Sequence, residues 1–256
     1  MSLYPEFRTR VRFFTGAWAV LVVCGVAHSQ GSARDAKNAA PKVTRPVPGY
    51  ESRQIVGWDV YVSEKLLADQ KEATVRALDL LRAQLETITK LVPEGPLERI
   101  RGVPLWFNPE YPGVPARAEY HPGAGWLRAN HRNPAMVKGV EFTNVGIFEP
   151  EVKRMPLFVL HELAHAYHDL VLGFDHPKIE AAYARAVESK SYEAVRRHNG
   201  KIERAYAITN AREYFAESTE AFFGRNDFYP FDRAELKKHD PDMEALVGEL
   251  WKVKSR

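Results

Sequence analysis

Residues 158–173 read Phe158-Val159-Leu160-His161-Glu162-Leu163-Ala164-His165-Ala166-Tyr167-His168-Asp169-Leu170-Val171-Leu172-Gly173. This is an apolar run with the pentapeptide His161-Glu162-Leu163-Ala164-His165 set into it. On a helix, residues four apart lie one above the other on one face. Two imidazoles so placed can ligate a single Zn²⁺, and a glutamate next to the first can reach a water on that metal. Met155, Leu157, Phe158, Val159 and Leu160 lead in, and Leu170, Val171 and Leu172 lead out, which predicts a buried helix. Pro156 stands where a first-turn proline is tolerated, and Gly173 supplies a C-terminal stop.

A catalytic zinc site needs a third protein ligand and an open position. The extended form HExxHxxGxxH is excluded, because His168 stands at its glycine position and Val171 at its third histidine. A glutamate ligand fits better. Glu213, Glu217 and Glu220 recur at i, i+4 and i+7 within the apolar segment that holds Phe215, Ala216, Ala221, Phe222 and Phe223. Carboxylates on such a stripe are costly to bury unless they meet a metal or a partner.

The run HELAHAYHDLVLG followed by Tyr206-x6-Glu213-Tyr214-Phe215-Ala216-Glu217 resembles the zinc-protease domain of anthrax lethal factor and its relatives, within the gluzincin metallopeptidases. The resembling stretch covers about residues 155–224. The resemblance implies an α+β, zincin-like metallopeptidase domain with a small sheet and an HExxH active-site helix. It implies one Zn²⁺ per chain held by His161, His165 and Glu213, with Glu162 as general base. It places Tyr206 over the attacking water as an oxyanion donor, and has Glu217 hold a ligand histidine by its other ring N–H. The chain has no room for that toxin's receptor-binding and substrate-docking domains.

Composition bounds the remainder. A chain of 256 residues that is 45% hydrophobic and 27% charged is ordinary for one globular domain with an appendage, not for a disordered chain. Arg8, Arg10 and Arg12 precede an apolar run from Phe13 to Val26 and then Ala27-His28-Ser29. That pattern predicts a signal peptide over residues 1–29, and hence a secreted or periplasmic protein without stable membrane insertion after its removal. Residues 1–29 carry +2 of the formal charge of +3, so a mature chain is nearly neutral and nothing points to nucleic acid. Cys24, the single cysteine, lies in this leader; Val23 before it is a poor lipobox residue, so no lipid anchor and no disulfide are expected.

Residues 30–50 lack periodicity and read as a flexible linker, leaving 51–256 as the metallopeptidase-like domain. Strands are expected at Ile55–Val62, Val103–Phe107 and Arg117–His121, and a strand or strand pair at Val137–Phe148. By analogy with zinc proteases of this class, the last would be the edge that binds substrate. The stripe Leu66, Leu67, Val75, Leu78, Leu81, Leu85, Ile88 and Leu91 predicts one long helix. Ile179–Val195 reads as a helical insert, Phe228–Asp242 as an irregular connection and Met243–Val253 as a closing helix. His121 and His131 are expected in turns or on the surface, and His168 beside the site or on the surface.

The function expected from these residues is a zinc metalloendopeptidase acting on a peptide or protein. The alternatives are a zinc amide hydrolase acting on a cell-wall or other non-protein substrate, and a binding module merely stabilised by its metal. Glu162 argues against the binding module, because a structural site needs no base.

Overall fold

The computed structural model describes residues 46–254. The leader and the linker as far as residue 45 lie outside them. Tyr50, at the end of the expected linker, already opens a strand.

The chain begins with β1 (Tyr50–Ile55) and β2 (Trp58–Ser63), an antiparallel hairpin closed where Ile55 pairs with Trp58. Val56 and Gly57 have φ of 52° and 90°, the left-handed pair a two-residue hairpin demands. The single strand expected over Ile55–Val62 is therefore two strands; a β-branched residue at the first turn position hid the reversal.

Five strands form a mixed sheet in the order β1-β2-β3-β5-β4. β3 (Leu105–Phe107) is parallel to β2 and to β5 (Val140–Phe142), and β4 (Ala118–Tyr120) runs antiparallel to β5 at the edge. Val137–Phe148 is not one strand. Lys138 has φ 61° and Gly139 is pressed against Trp106 and the Pro104 carbonyl, so β5 starts only at Val140. After Phe142 a 3-10 turn (Val145–Ile147) leads into a helix.

The long helix is broken. α1 (Glu64–Asp69) ends at Gln70, whose ψ of 42° and φ of −138° are not helical, and α2 (Lys71–Leu91) follows. α2 buries Ala77, Leu78, Leu81, Leu85 and Ile88. Thr74 takes the inward place expected of Val75: its hydroxyl bonds the Gln70 carbonyl at 2.8 Å, so it can be buried, and Val75 is 46% exposed. α3 (Glu94–Arg101), α4 (Ala124–Ala129) and α5 (Phe148–Arg154) complete the first half.

The second half is helical. α6 (Phe158–Tyr167) continues into a π-helical turn (His168–Leu172) that stops at Gly173, φ 83°. α7 (Pro177–Ser189) and a small β6–β7 ribbon (Val195–Arg196, Ile202–Glu203) form the insert. A 3-10 turn (Tyr206–Thr209) leads to α8 (Ala211–Phe223), α9 (Arg233–His239) and α10 (Pro241–Leu250). α9 lies in the stretch expected to be irregular. Asp232 caps it, accepting from Glu235 N at 3.0 Å, while Glu235 reaches back to Phe231 N at 2.8 Å.

α6 is apolar nearly all round, as a helix enclosed by its neighbours must be. Gln84 of α2 accepts from Val159 N at 3.2 Å near its start. At its other end Tyr167 stacks on Trp251 at 4.3 Å and donates to the Leu250 carbonyl, and Trp251 Nε1 donates to Thr219 of α8. One tryptophan after α10 thus locks the two central helices together. Among the described residues no helix is long and apolar enough to cross a membrane.

Candidate metal centre

α6 and α8 bring three donor atoms to one point. His161 Nε2 lies 3.2 Å from both Glu213 Oε2 and His165 Nε2, and the third side, His165 Nε2 to Glu213 Oε2, is 3.3 Å. A tetrahedral ion with bonds of about 2.0–2.1 Å sets its donors about 3.3 Å apart, so the triangle is the face such an ion needs. The protonation pattern agrees. His161 Nδ1 lies 2.7 Å from Glu220 Oε1, and a proton given to that buried carboxylate leaves Nε2 as a lone pair facing a carboxylate oxygen. That arrangement repels itself unless a proton or a metal ion sits between. Burial disfavours a charged His161, but Glu213 and Glu220 outweigh it and raise its pKa well above the ordinary value. Metal must therefore displace a proton here.

Local structure explains why Glu213 arrives in place. Asn210 caps α8, its Oδ1 accepting from Arg212 N at 2.9 Å and Glu213 N at 3.0 Å, so the first turn of the helix is fixed at the metal face. Burial pushes the Glu213 carboxyl up, yet hydrogen bonds from His161 and His165 overcome this and hold it far below the usual carboxylate range.

The histidine-holding role expected of Glu217 belongs by distance to Glu220. Glu217 Oε1 is 3.8 Å from His161 Nδ1, beyond a hydrogen bond, whereas Glu220 is at 2.7 Å. Both carboxyls are buried and both are pushed up by it. At Glu217 the charge of Glu220 beside it pushes the carboxyl up further.

Glu162 faces the same cleft. Its Oε2 accepts from Tyr120 N of the edge strand at 3.0 Å. Burial raises its pKa while His161 and His165 pull it back, which leaves a carboxylate readier than usual to take up a proton. The Tyr120 hydroxyl donates to Asp169 at 2.7 Å, and Lys138 pairs with the same carboxylate at 2.5 Å. Tyr120 thus joins β4 to α6 and to the turn that follows. The strand beside the site is β4, not Val137–Phe148, because β5 is hydrogen-bonded on both sides within the sheet.

A cavity of about 710 Å³ opens over these groups, lined by β4, His161, Glu162, His165, Glu213 and Tyr206. Tyr206 is 49% exposed and its hydroxyl makes no hydrogen bond among the described residues. Burial and then the Glu213 charge raise its pKa, keeping it a proton donor.

Other histidines depart from expectation. His168 is wholly buried against the Phe174 and Phe215 rings, with neither ring nitrogen bonded. His121 is buried too, 2.8 Å from Glu141. Glu119, His121 and Glu141 come close enough to suggest a second metal site. The Arg132 guanidinium already supplies the cation there, 2.6 Å from Glu141 and 3.2 Å from Glu119. Asn108 and Tyr111 complete the shell at 2.6 and 2.7 Å. His131 lies on the surface, as expected.

Glu220, Tyr120 and this Glu141 hub were missed as functional neighbours. Only Glu220 carried a signal, standing on the same helical stripe as Glu213. No protein-family model, no curated protein and no solved structure matches this chain.

Proposed function

We infer that the protein is a zinc-dependent peptidase of the gluzincin type, hydrolysing peptide bonds of a protein or peptide laid along β4. The observation that carries this reading is the triangle of His161, His165 and Glu213 donors with the Glu162 carboxylate beside it, all facing one open cleft. A closed structural site would lack both the base and the cavity. Two nitrogens and one carboxylate oxygen are the donor set that favours zinc.

When bound, the ion polarises the substrate carbonyl and lowers the pKa of water to about 7. The chain's own residues do the rest. Glu162 takes one proton from the attacking water. The water oxygen bonds to the carbonyl carbon, and the developing oxyanion accepts a hydrogen bond from the Tyr206 hydroxyl. Glu162 then passes its proton to the amide nitrogen as the C–N bond breaks, releasing a carboxylic acid and an amine. The edge of β4 ahead of Tyr120, whose own amide is taken by Glu162, would offer backbone groups to an extended peptide. The predicted leader makes this an exported activity.

Substituting Glu162→Gln keeps shape and leaves the metal donors in place. The expected outcome is unchanged zinc content with hydrolysis of a casein or peptide-library substrate lost. Retained hydrolysis in that variant, or no zinc in the unaltered protein under conditions that do not strip metal, would overturn the reading.

A further inference from the structure

We propose that the cleft selects substrates carrying a carboxylate close to the scissile bond, and that Arg212 is the residue that holds it. This rests on the peptidase reading above and specifies its substrate class as acidic peptides.

Of the four arginines that line the cleft, two are paired with carboxylates of the protein and two are not. Arg154 is engaged by Glu151 at 2.6 Å and by Asp227 at 2.7 Å. Arg197 is engaged by Glu203 at 3.2 Å and by the same Asp227 at 3.4 Å. Arg117 and Arg212 have no carboxylate partner among the described residues, and Arg117 donates to the Pro115 carbonyl at 3.3 Å. Arg212 lines the cavity with every guanidinium donor uncommitted and its ring partner beside it, whereas Arg117 has its Nε engaged.

Its setting is built. The guanidinium carbon lies 3.9 Å from the centroid of the Phe174 ring, which also lines the cavity. Stacking covers the flat face of the guanidinium and restrains the long side chain, while the N–H groups in its plane stay free. That fork matches a carboxylate in two parallel hydrogen bonds. Both partners hang directly from the metal-holding segments. Arg212 precedes Glu213 in the turn capped by Asn210, and Phe174 follows Gly173, where the metal helix stops. An extended substrate advances about 3.3 Å per residue, so a carboxylate within reach of Arg212 belongs to one of the few residues flanking the cleaved bond. The carboxylate can come from an Asp or Glu side chain or from a chain terminus.

The test uses the zinc-loaded protein and end-blocked fluorogenic peptides in which one Glu is moved through the positions around the cleavage site, each paired with its Gln counterpart. One further pair carries a free or an amidated C-terminus. The same pairs are titrated against zinc-loaded Glu162→Gln protein to read binding without turnover. At one position, or at the free terminus, the carboxylate peptide should be favoured by about 10- to 100-fold in kcat/KM and in affinity. Arg212→Gln should bring that ratio near one with zinc content unchanged, and Arg212→Lys should restore part of it. Equal treatment of the members of every pair, or a preference that survives Arg212→Gln, would overturn the proposal. Arg212-dependent binding without cleavage of any peptide would sustain the carboxylate site while sinking the peptidase reading.

Discussion

Replacing Glu220 by Gln tests the assignment of the residue that orients His161. The side chain is wholly buried, and its Oε1 lies 2.7 Å from His161 Nδ1. Glutamine keeps the shape and an accepting oxygen but removes the charge. Loss of a carboxylate that orients a metal-binding histidine costs about 10- to 100-fold in metal affinity, or about 1.4–2.7 kcal/mol. Glu220→Gln should fall near the lower end and Glu220→Ala near the upper. Glu217→Gln has no bond of that length to lose, its nearest oxygen being 3.8 Å away, so it should change affinity by less than about threefold. Competition between the protein and a chromophoric chelator for Zn²⁺ reads all three. Glu220 also helps retain a proton on His161 in the metal-free protein, so the titrations are run at several alkaline pH values, where proton competition fades. A larger loss for Glu217→Gln than for Glu220→Gln would refute the reasoning and return the role to Glu217.

Other outcomes follow from the same geometry. Tyr206→Phe should lower kcat about 100-fold with KM little changed, as removal of an oxyanion donor does; a rise in KM alone would make Tyr206 a substrate contact only. Burial, with His165 and His176 adding to it, depresses the His168 pKa to about 4 from 6.5. The unfolded chain therefore takes up a proton that the folded chain refuses. The stabilisation is complete above pH 6.5 and is lost as the pH falls towards 4, in total about 3 kcal/mol. In urea unfolding of the metal-free protein across that range, His168→Leu should flatten the pH dependence, and an unchanged slope would place the acid sensitivity elsewhere. Gly139→Ala puts a methyl 2.7 Å from Trp106 Nε1 and 2.9 Å from the Pro104 carbonyl, and should destabilise by about 1–3 kcal/mol in the same assay.

The helix of the candidate metal centre was legible because one short segment holds its motif, its apolar flanks and its stop at Gly173. The strand expected over Arg117–His121 is β4, but that it and not Val137–Phe148 forms the edge was not legible, because the pairing order joins segments far apart in sequence. The choice between Glu217 and Glu220 lay beyond spacing altogether. Relative to Glu213 they are turned by about 40° and about −20° around the helix, so both face the same neighbour. Only the way α8 crosses α6 decides which of them touches His161. The burial of His121 was equally hidden, since its partners Glu141 and Arg132 come from separate segments and make the site acceptable only together. α9 is different: Asp232 and Glu235 spelled out a helix start in a stretch read as irregular.

The double attachment of Tyr120, through its amide to Glu162 and its hydroxyl to Asp169, gives the cleft the character of a caliper with one fixed jaw. The gap between the Glu162 carboxylate and the strand beside it is set within the protein itself. Tyr206, which also lines the cleft, is half-exposed and its hydroxyl has no such tie among the described residues. On the peptidase reading, substrates of different bulk would be gauged from the strand side, where Glu162 is tied, and the adjustment would fall on the Tyr206 hydroxyl, the one group of the proposed chemistry that no hydrogen bond holds among the described residues.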